Sequence, residues 1–203
     1  MALGPADADL LLTELAPAEQ AWPHHCRQVA KVARVLGESL LQAGHHLDLD
    51  LLITQALLHD VGRAKTHGPL HGWTGFVMLR ELGHPESGRG CLTHWLKGRS
   101  LDEVRESPAW KPSLAERAFA ALDPTGWQLL DSVLSFADSS VQHTTIVPIN
   151  ERHQDLLDRY GDSRWLRRAA ELGEQHGAEI AAALGFPVER LLTPLFGDSA
   201  DGY

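Results

Sequence analysis

The sequence predicts an all-α fold, a single helical domain over residues 1–203. Three observations lead to it. Apolar residues recur at three- and four-residue steps through several stretches of helix length. No run alternates apolar and polar residues as a half-buried strand does. Prolines and glycines fall between the periodic stretches and divide them, with no internal repeat and nothing that marks a second domain.

The elements follow in order. Residues 6–16 read as a leading helix with Leu10, Leu11 and Leu15 on its apolar side, and Pro17 and Pro23 bracket a connection. From Pro23 to Ala43, Val29, Val32, Ala33, Leu36 and Leu40 form one stripe; His25, four residues before Val29, lies on it. Gly44 ends this helix, and Asp48 is placed to cap the next. Residues 49–60 are apolar nearly all round, the mark of a central buried helix. His59 and Asp60 form its last turn, and Gly62 is expected in the left-handed position that closes a helix. After a polar connector, a helix over about 70–82 carries His71, Gly75, Met78, Leu79 and Leu82 on one face. Another, over about 86–97, carries Cys91, His94 and Trp95.

From Lys97 to Gly126 the pattern weakens, and Pro108, Pro112 and Pro124 interrupt it. This segment is expected to be mostly loop with a short helix near 113–122, either a lid or a hairpin packed on the surface. Periodicity returns over 127–143 with Leu130, Val133, Leu134, Ala137 and Val141, and Asp138 sits within that stripe. Helices near 150–160 and 163–184 follow. Gly173 and Gly177 on the stripe of the second point to close helix packing. The C-terminal helices, 150–193, either pack on a core of about 22–145 or offer a face for a homodimer.

A net charge of −9 argues against general nucleic-acid binding or attachment to a membrane surface, which need a basic face. A small anionic substrate is compatible with it, because a metal reverses the local field. Two cysteines, Cys26 and Cys91, make no disulfide framework and suit a reduced, cytoplasmic setting. Met1 to Asp7 has neither the basic start nor the apolar core of a signal peptide. No apolar run approaches the roughly 20 residues of a membrane span. The anomaly is histidine: 12 of them against 18 lysines and arginines.

Six polar side chains fall on buried stripes: His25, His59, Asp60, His71, His94 and Asp138. Taken alone, a histidine on an apolar stripe is ordinarily a satisfied core residue, and His94 could simply stack beside Trp95. A buried carboxylate is harder to dismiss, since leaving it unpaired costs several kcal/mol. Helices of a bundle can bring such groups to one centre. Imidazole with carboxylate suits Fe, Mn, Zn, Ni or Co. Neighbouring helix positions diverge by about 100°, so His59 and Asp60 flank one metal, or Asp60 bridges two.

These residues carry a family resemblance. Leu57-Leu58-His59-Asp60-Val61-Gly62-Arg63, with His25 followed by Val29-Ala30 and with Phe136-Ala137-Asp138, resembles the HD-domain superfamily of metal-dependent phosphohydrolases over about residues 22–145. His24 directly precedes His25; the spacing to Val-Ala and the helical stripe favour His25. By this likeness the fold is an HD-type bundle, and His25, His59, Asp60 and Asp138 bind a first metal. His71-Gly72-Trp73-Thr74-Gly75 and Thr93-His94 look like the additions of a dinuclear subset that includes dinucleoside tetraphosphate hydrolases and di-iron oxygenases.

The resemblance implies hydrolysis of a phosphate ester or anhydride, of a nucleotide or another small phosphorylated metabolite, with two divalent ions, Fe or Mn ahead of Zn, Ni or Co. Asp60 is the expected shared ligand, with Arg63 and Lys65 beside it as catalytic candidates. Lys97, Arg99 and His67 are candidates for holding substrate. Two alternatives stay open: a di-iron oxygenase, and a non-catalytic domain that uses metal or nucleotide for structure or sensing.

Overall fold

The computed structural model describes residues 3–16, 20–107 and 110–200. Pro17 and Pro108, two of the expected breaks, lie outside them. Helix α1 (Pro5–Leu15) is followed by α2 (Trp22–Gln42), α3 (Leu49–Leu58), a 3-10 turn (Val61–Ala64), α4 (His71–Glu81) and α5 (Pro85–Leu96). Then come α6 (Leu101–Arg105), α7 (Pro112–Leu122), α8 (Leu129–Asp138), a small hairpin of β1 (Val141–Gln142) and β2 (Thr145–Ile146), α9 (Ile149–Tyr160), α10 (Arg164–Leu184) and α11 (Glu189–Leu192). The chain is all-α apart from that hairpin. Among the described residues, no helix is long and apolar enough to cross a membrane.

Helix α3 is central. It packs against α1, α2, α5 and α8, and Leu52, Ile53, Ala56, Leu57 and Leu58 are all buried. Burial on nearly every side is why its sequence shows no polar face. Asp48 caps it as expected, its Oδ1 accepting from the Leu51 N–H at 2.9 Å. The α2 stripe of Val29, Val32, Ala33, Leu36 and Leu40 is buried against it. Helix α10 crosses α8 closely because Gly177 leaves room for Phe136; a Cβ there would lie 2.7 Å from the ring.

Three expectations need correction. Helix α3 stops at Leu58, two residues short of the expected end. His59 keeps helical angles as the cap, Asp60 turns out at φ −103° and ψ 9°, and a 3-10 turn follows. Gly62 is not left-handed: it is a packing glycine on which α4 rests. The second correction is the hairpin, which the absence of any alternating run hid because each strand has two residues. It pairs Val141 with Ile146 and turns through His143 at φ 54°. Gln28 of α2 anchors it by donating to the carbonyls of Thr144 and Asp198 at 3.1 and 3.2 Å.

The third correction concerns 97–126, which is mainly helical rather than mainly loop. Ser100 and Glu103 form a capping box that starts α6, and Pro112 occupies the first turn of α7. A proline there begins a helix instead of breaking one. Val104, Ala115, Ala118 and Leu122 are buried, α7 packs on α5, and the Trp110 indole donates to the Pro69 carbonyl at 3.3 Å. The segment is a packed helical pair.

Helices α9 and α10 each carry a buried histidine with a consequence for stability. Burial, reinforced by the charge of Lys97, lowers the pKa of His153 and His176 from 6.5 to about 4 each. Both are neutral in the fold, whereas the unfolded chain takes up the protons near pH 6.5. The unfolded state therefore binds more protons between pH 6.5 and 4, and stability falls as pH falls through that window. For His176, 2% exposed and stacked on Trp127, the loss at pH 5 is about 2 kcal/mol. Melting temperature is expected to drop from pH 7 to pH 5, with a shallower drop in His176→Phe, which keeps the stack and cannot titrate. Identical slopes in the two proteins would refute this.

Candidate metal centre

The ends of five elements converge. The first turns of α2 and α4 supply His25 and His71; His59 caps the end of α3 and Asp60 follows it; the last turn of α5 supplies His94; and α8 ends on Asp138. The sequence-expected set of six therefore meets at one place, and every member is buried or nearly so. Asp138 Oδ1 lies 3.2 Å from His25 Nε2 and 3.7 Å from His59 Nε2. Asp60 Oδ1 lies 3.1 Å from His71 Nε2 and 3.4 Å from His94 Nε2, while its Oδ2 is 4.0 Å from His59 Nε2 and bonds the Arg63 guanidinium. Asp60 thus faces both halves of the cluster.

The orientation of the imidazoles is uniform. Each Nδ1 sits against a backbone carbonyl: His25 on His143 at 2.9 Å, His59 on Ala56 at 2.7 Å, His71 on Gly68 at 3.0 Å, and His94 on Gly90 at 3.2 Å. A carbonyl only accepts, so Nδ1–H donates and the neutral ring presents the Nε2 lone pair inward. Such bonds fix tautomer and ring angle in metal-binding histidines. The hairpin owes its place here to this, since its turn aims the His143 carbonyl at His25.

Ionisation matches. Burial lowers the pKa of His59 to about 3 and lowers that of His94. Burial opposes a charged Asp60, yet His71, His94 and Arg63 hold its pKa well below the usual carboxylate range. Burial likewise opposes Asp138, and Lys97 and His25 hold it down. Neutral imidazole beside ionised carboxylate is the state that metal ligation requires.

A cation answers what the protein leaves open. His59 Nε2 and Asp60 Oδ1 are buried without a hydrogen-bond partner, and the Nε2 atoms of His71 and His94 face each other at 3.1 Å. Two inward acceptors at that distance need a cation or a proton between them. Two sets, His25–His59–Asp138 and His59–Asp60–His94, have ligand atoms within 4.8 Å of one another. The donors are imidazole nitrogen and carboxylate oxygen; the thiols of Cys26 and Cys91 are buried with their pKa pushed up, so they supply no thiolate. The residues fit one or two divalent transition ions.

The other candidates separate. Arg63 is beside Asp60 and borders the centre. Lys97 borders it too, but its ammonium is committed to Asp138 Oδ2 at 3.3 Å, Ser139 Oγ at 3.0 Å and the Ser135 carbonyl at 3.2 Å, which makes it a positioning residue for Asp138. Arg99 is 1% exposed, stacked over Trp165 at 3.8 Å and bonded to the Trp165 carbonyl at 2.8 Å. His67 lines an outer cavity of about 270 Å³ that shares His25, Asp60, Arg63 and Arg152 with the centre. Lys65 is exposed and borders neither space. A larger cavity of about 650 Å³, with Trp95, Arg99 and Trp165 in its wall, adjoins the other side.

Sequence reasoning missed Arg152, Arg159, His143 and Tyr160 in the wall of the outer cavity. The signal was the spacing Arg152, Asp155, Arg159, which puts all three on one face of α9.

Comparison with known proteins agrees with this geometry. One relative, "Uncharacterized protein MJ0778" of Methanocaldococcus jannaschii, is 42% identical over 62 residues, 30% of this chain and 37% of that protein, so the chain spans little more than a third of that relative's length. No solved structure matches. The HD domain family matches residues 24–139, more than half of the chain and a span that holds all six converging residues. The chain belongs to the HD domain family.

Proposed function

We propose that the protein is a metal-dependent phosphohydrolase that cleaves a phosphate ester or anhydride of a small phosphorylated metabolite, a nucleotide among the candidates. One observation carries the reading: four imidazoles, each tied back through Nδ1, turn their Nε2 atoms onto two carboxylates of which Asp60 faces both halves. His25, His59, Asp60 and Asp138 would hold one ion, and Asp60, His71 and His94 a second, Fe or Mn by preference. Ions there supply Lewis acidity, which makes a water acidic enough to act as nucleophile near neutral pH and offsets charge on a phosphoryl oxygen.

The chain's own groups do the rest. Arg63 neutralises one oxygen of Asp60 and faces the outer cavity, where it can hold a phosphate oxygen. Lys97 fixes Asp138 so that one oxygen stays toward His25 and His59. His67, exposed on the cavity rim, would contact the leaving group.

The test is metal content per chain after purification without added metal, beside phosphate release from a panel of nucleotides and phosphomonoesters. Two ions are expected, falling toward one in His71→Ala and in His94→Ala, with release lost in both. One ion, unchanged in both variants, would remove the second site. Oxygen uptake with an iron-dependent colour and no phosphate release would replace hydrolysis by oxygenation.

A further inference from the structure

The outer cavity is basic in a protein that is acidic overall. Arg63, Arg152 and Arg159 line it with His67 and His143, and among the described residues Asp60 is the one carboxylate in its wall. Arg152 and Arg159 reach it from one face of α9 and share a single carboxylate oxygen outside the wall: Asp155 Oδ2 accepts from Arg152 at 2.9 Å and from Arg159 at 2.6 Å. Among the described residues, two guanidiniums on one oxygen leave a surplus positive charge and most of their N–H donors without a hydrogen bond. Asp155, bonded to both, holds the two guanidiniums together at the cavity. Trp22 also lines the cavity, and its indole N–H finds no partner among the described residues.

We infer that this cavity is a subsite for a second anionic group of the substrate, a phosphate, so that the molecule cleaved carries two anionic groups: one at the metal centre and one between Arg152 and Arg159. The space of about 270 Å³ takes a phosphate with its hydration. Because His25, Asp60, Arg63 and Arg152 border both spaces, the two anions lie on adjacent groups of one ligand. The role as a substrate subsite rests on the phosphohydrolase reading; the anion site itself does not. Arginine suits the task because its fork matches phosphate oxygens in pairs.

The test compares two non-hydrolysable probes, methylphosphonate and methylenediphosphonate, by calorimetry on the purified protein, with bound metal measured in the same samples. The two-anion probe is expected to bind at least about tenfold more tightly, as one or two charge-assisted contacts would give. That advantage disappears in Arg159→Gln and in Arg152→Gln at unchanged metal content and melting temperature. It persists in Arg105→Gln, a change at an exposed position of α6. Arg159 is the more exposed of the pair, so it carries the test if the Arg152 variant folds poorly. Equal affinity of the two probes, or an advantage that survives both arginine substitutions because the metal alone chelates the probe, overturns the inference. Failure of the phosphohydrolase reading looks different: no phosphate release from any compound, with the arginine-dependent advantage intact.

Discussion

Replacing Asp60 with alanine is expected to lower bound metal below one ion per chain and phosphate release by at least about a thousandfold, ~4 kcal/mol of barrier. Of the two carboxylates, Asp60 is the one that faces both halves of the centre. Oδ1 lies against His71 and His94, and Oδ2 lies toward His59 and bonds Arg63. Its loss removes a negative charge that offsets the incoming ions and frees the Arg63 guanidinium at their edge, so both ions lose a ligand and gain a repulsive neighbour. Removing His71 or His94 affects one half only, so those variants are expected to keep about one ion and this one fewer. Asp60→Asn separates shape from charge: it retains the volume and one oxygen, and it is expected to bind metal nearly as poorly as alanine. Metal analysis with circular dichroism checks both variants. A folded Asp60→Ala protein with two ions would show that the carboxylate is not the shared ligand and would remove the dinuclear reading.

The stripes that form the bundle were legible because burial repeats with the helical period. Val29 to Leu40 and Leu130 to Ala137 needed only that periodicity to reveal buried faces, and Leu52 to Leu58, apolar all round, revealed a helix buried on nearly every side. The centre was legible for the same reason in reverse: His25, His59, Asp60, His71, His94 and Asp138 stand where apolar residues belong, and the structure brings all six together. What the sequence withheld depends on contacts distant along the chain. The His143 carbonyl that orients His25 comes from a turn 118 residues away. Arg152 and Arg159 look like the solvated face of an amphipathic helix until α9 is seen to lay that face against the outer cavity. Lys97 looked like a phosphate ligand because it follows His94, and only the position of α8 shows that it serves Asp138. Pro112 misled because a proline at a helix start and a proline that breaks a helix are the same letter.

The glycine after the histidine–aspartate pair illustrates how much one such contact can carry. Gly62→Ala is expected to lower stability by about 3 kcal/mol, a fall of roughly 6–12 °C in melting temperature for a chain of this size. A Cβ on Gly62 would lie 2.0 Å from the His71 carbonyl oxygen and 2.6 Å from the Gly75 nitrogen. Both are backbone atoms of α4, so no side chain can swing aside, and the helix itself must move. Helix α4 begins at His71, so the displacement also draws His71 Nε2 away from Asp60 Oδ1. His25, His59 and Asp138 approach from α2, α3 and α8 and do not depend on that contact. The variant should therefore lose one ion of two, together with phosphate release, before it loses the fold. Gly68→Ala in the same connector is the control: the nearest atom to its Cβ would be Thr66 Oγ1 at 3.7 Å, ordinary contact. It is expected to keep both ions and to melt within about 2 °C of the unaltered protein, within the scatter of a surface change. If Gly62→Ala also kept both ions and the same melting temperature, α4 would have room that the distance to His71 denies. The glycine would then owe its place to something other than the seating of the second half of the centre.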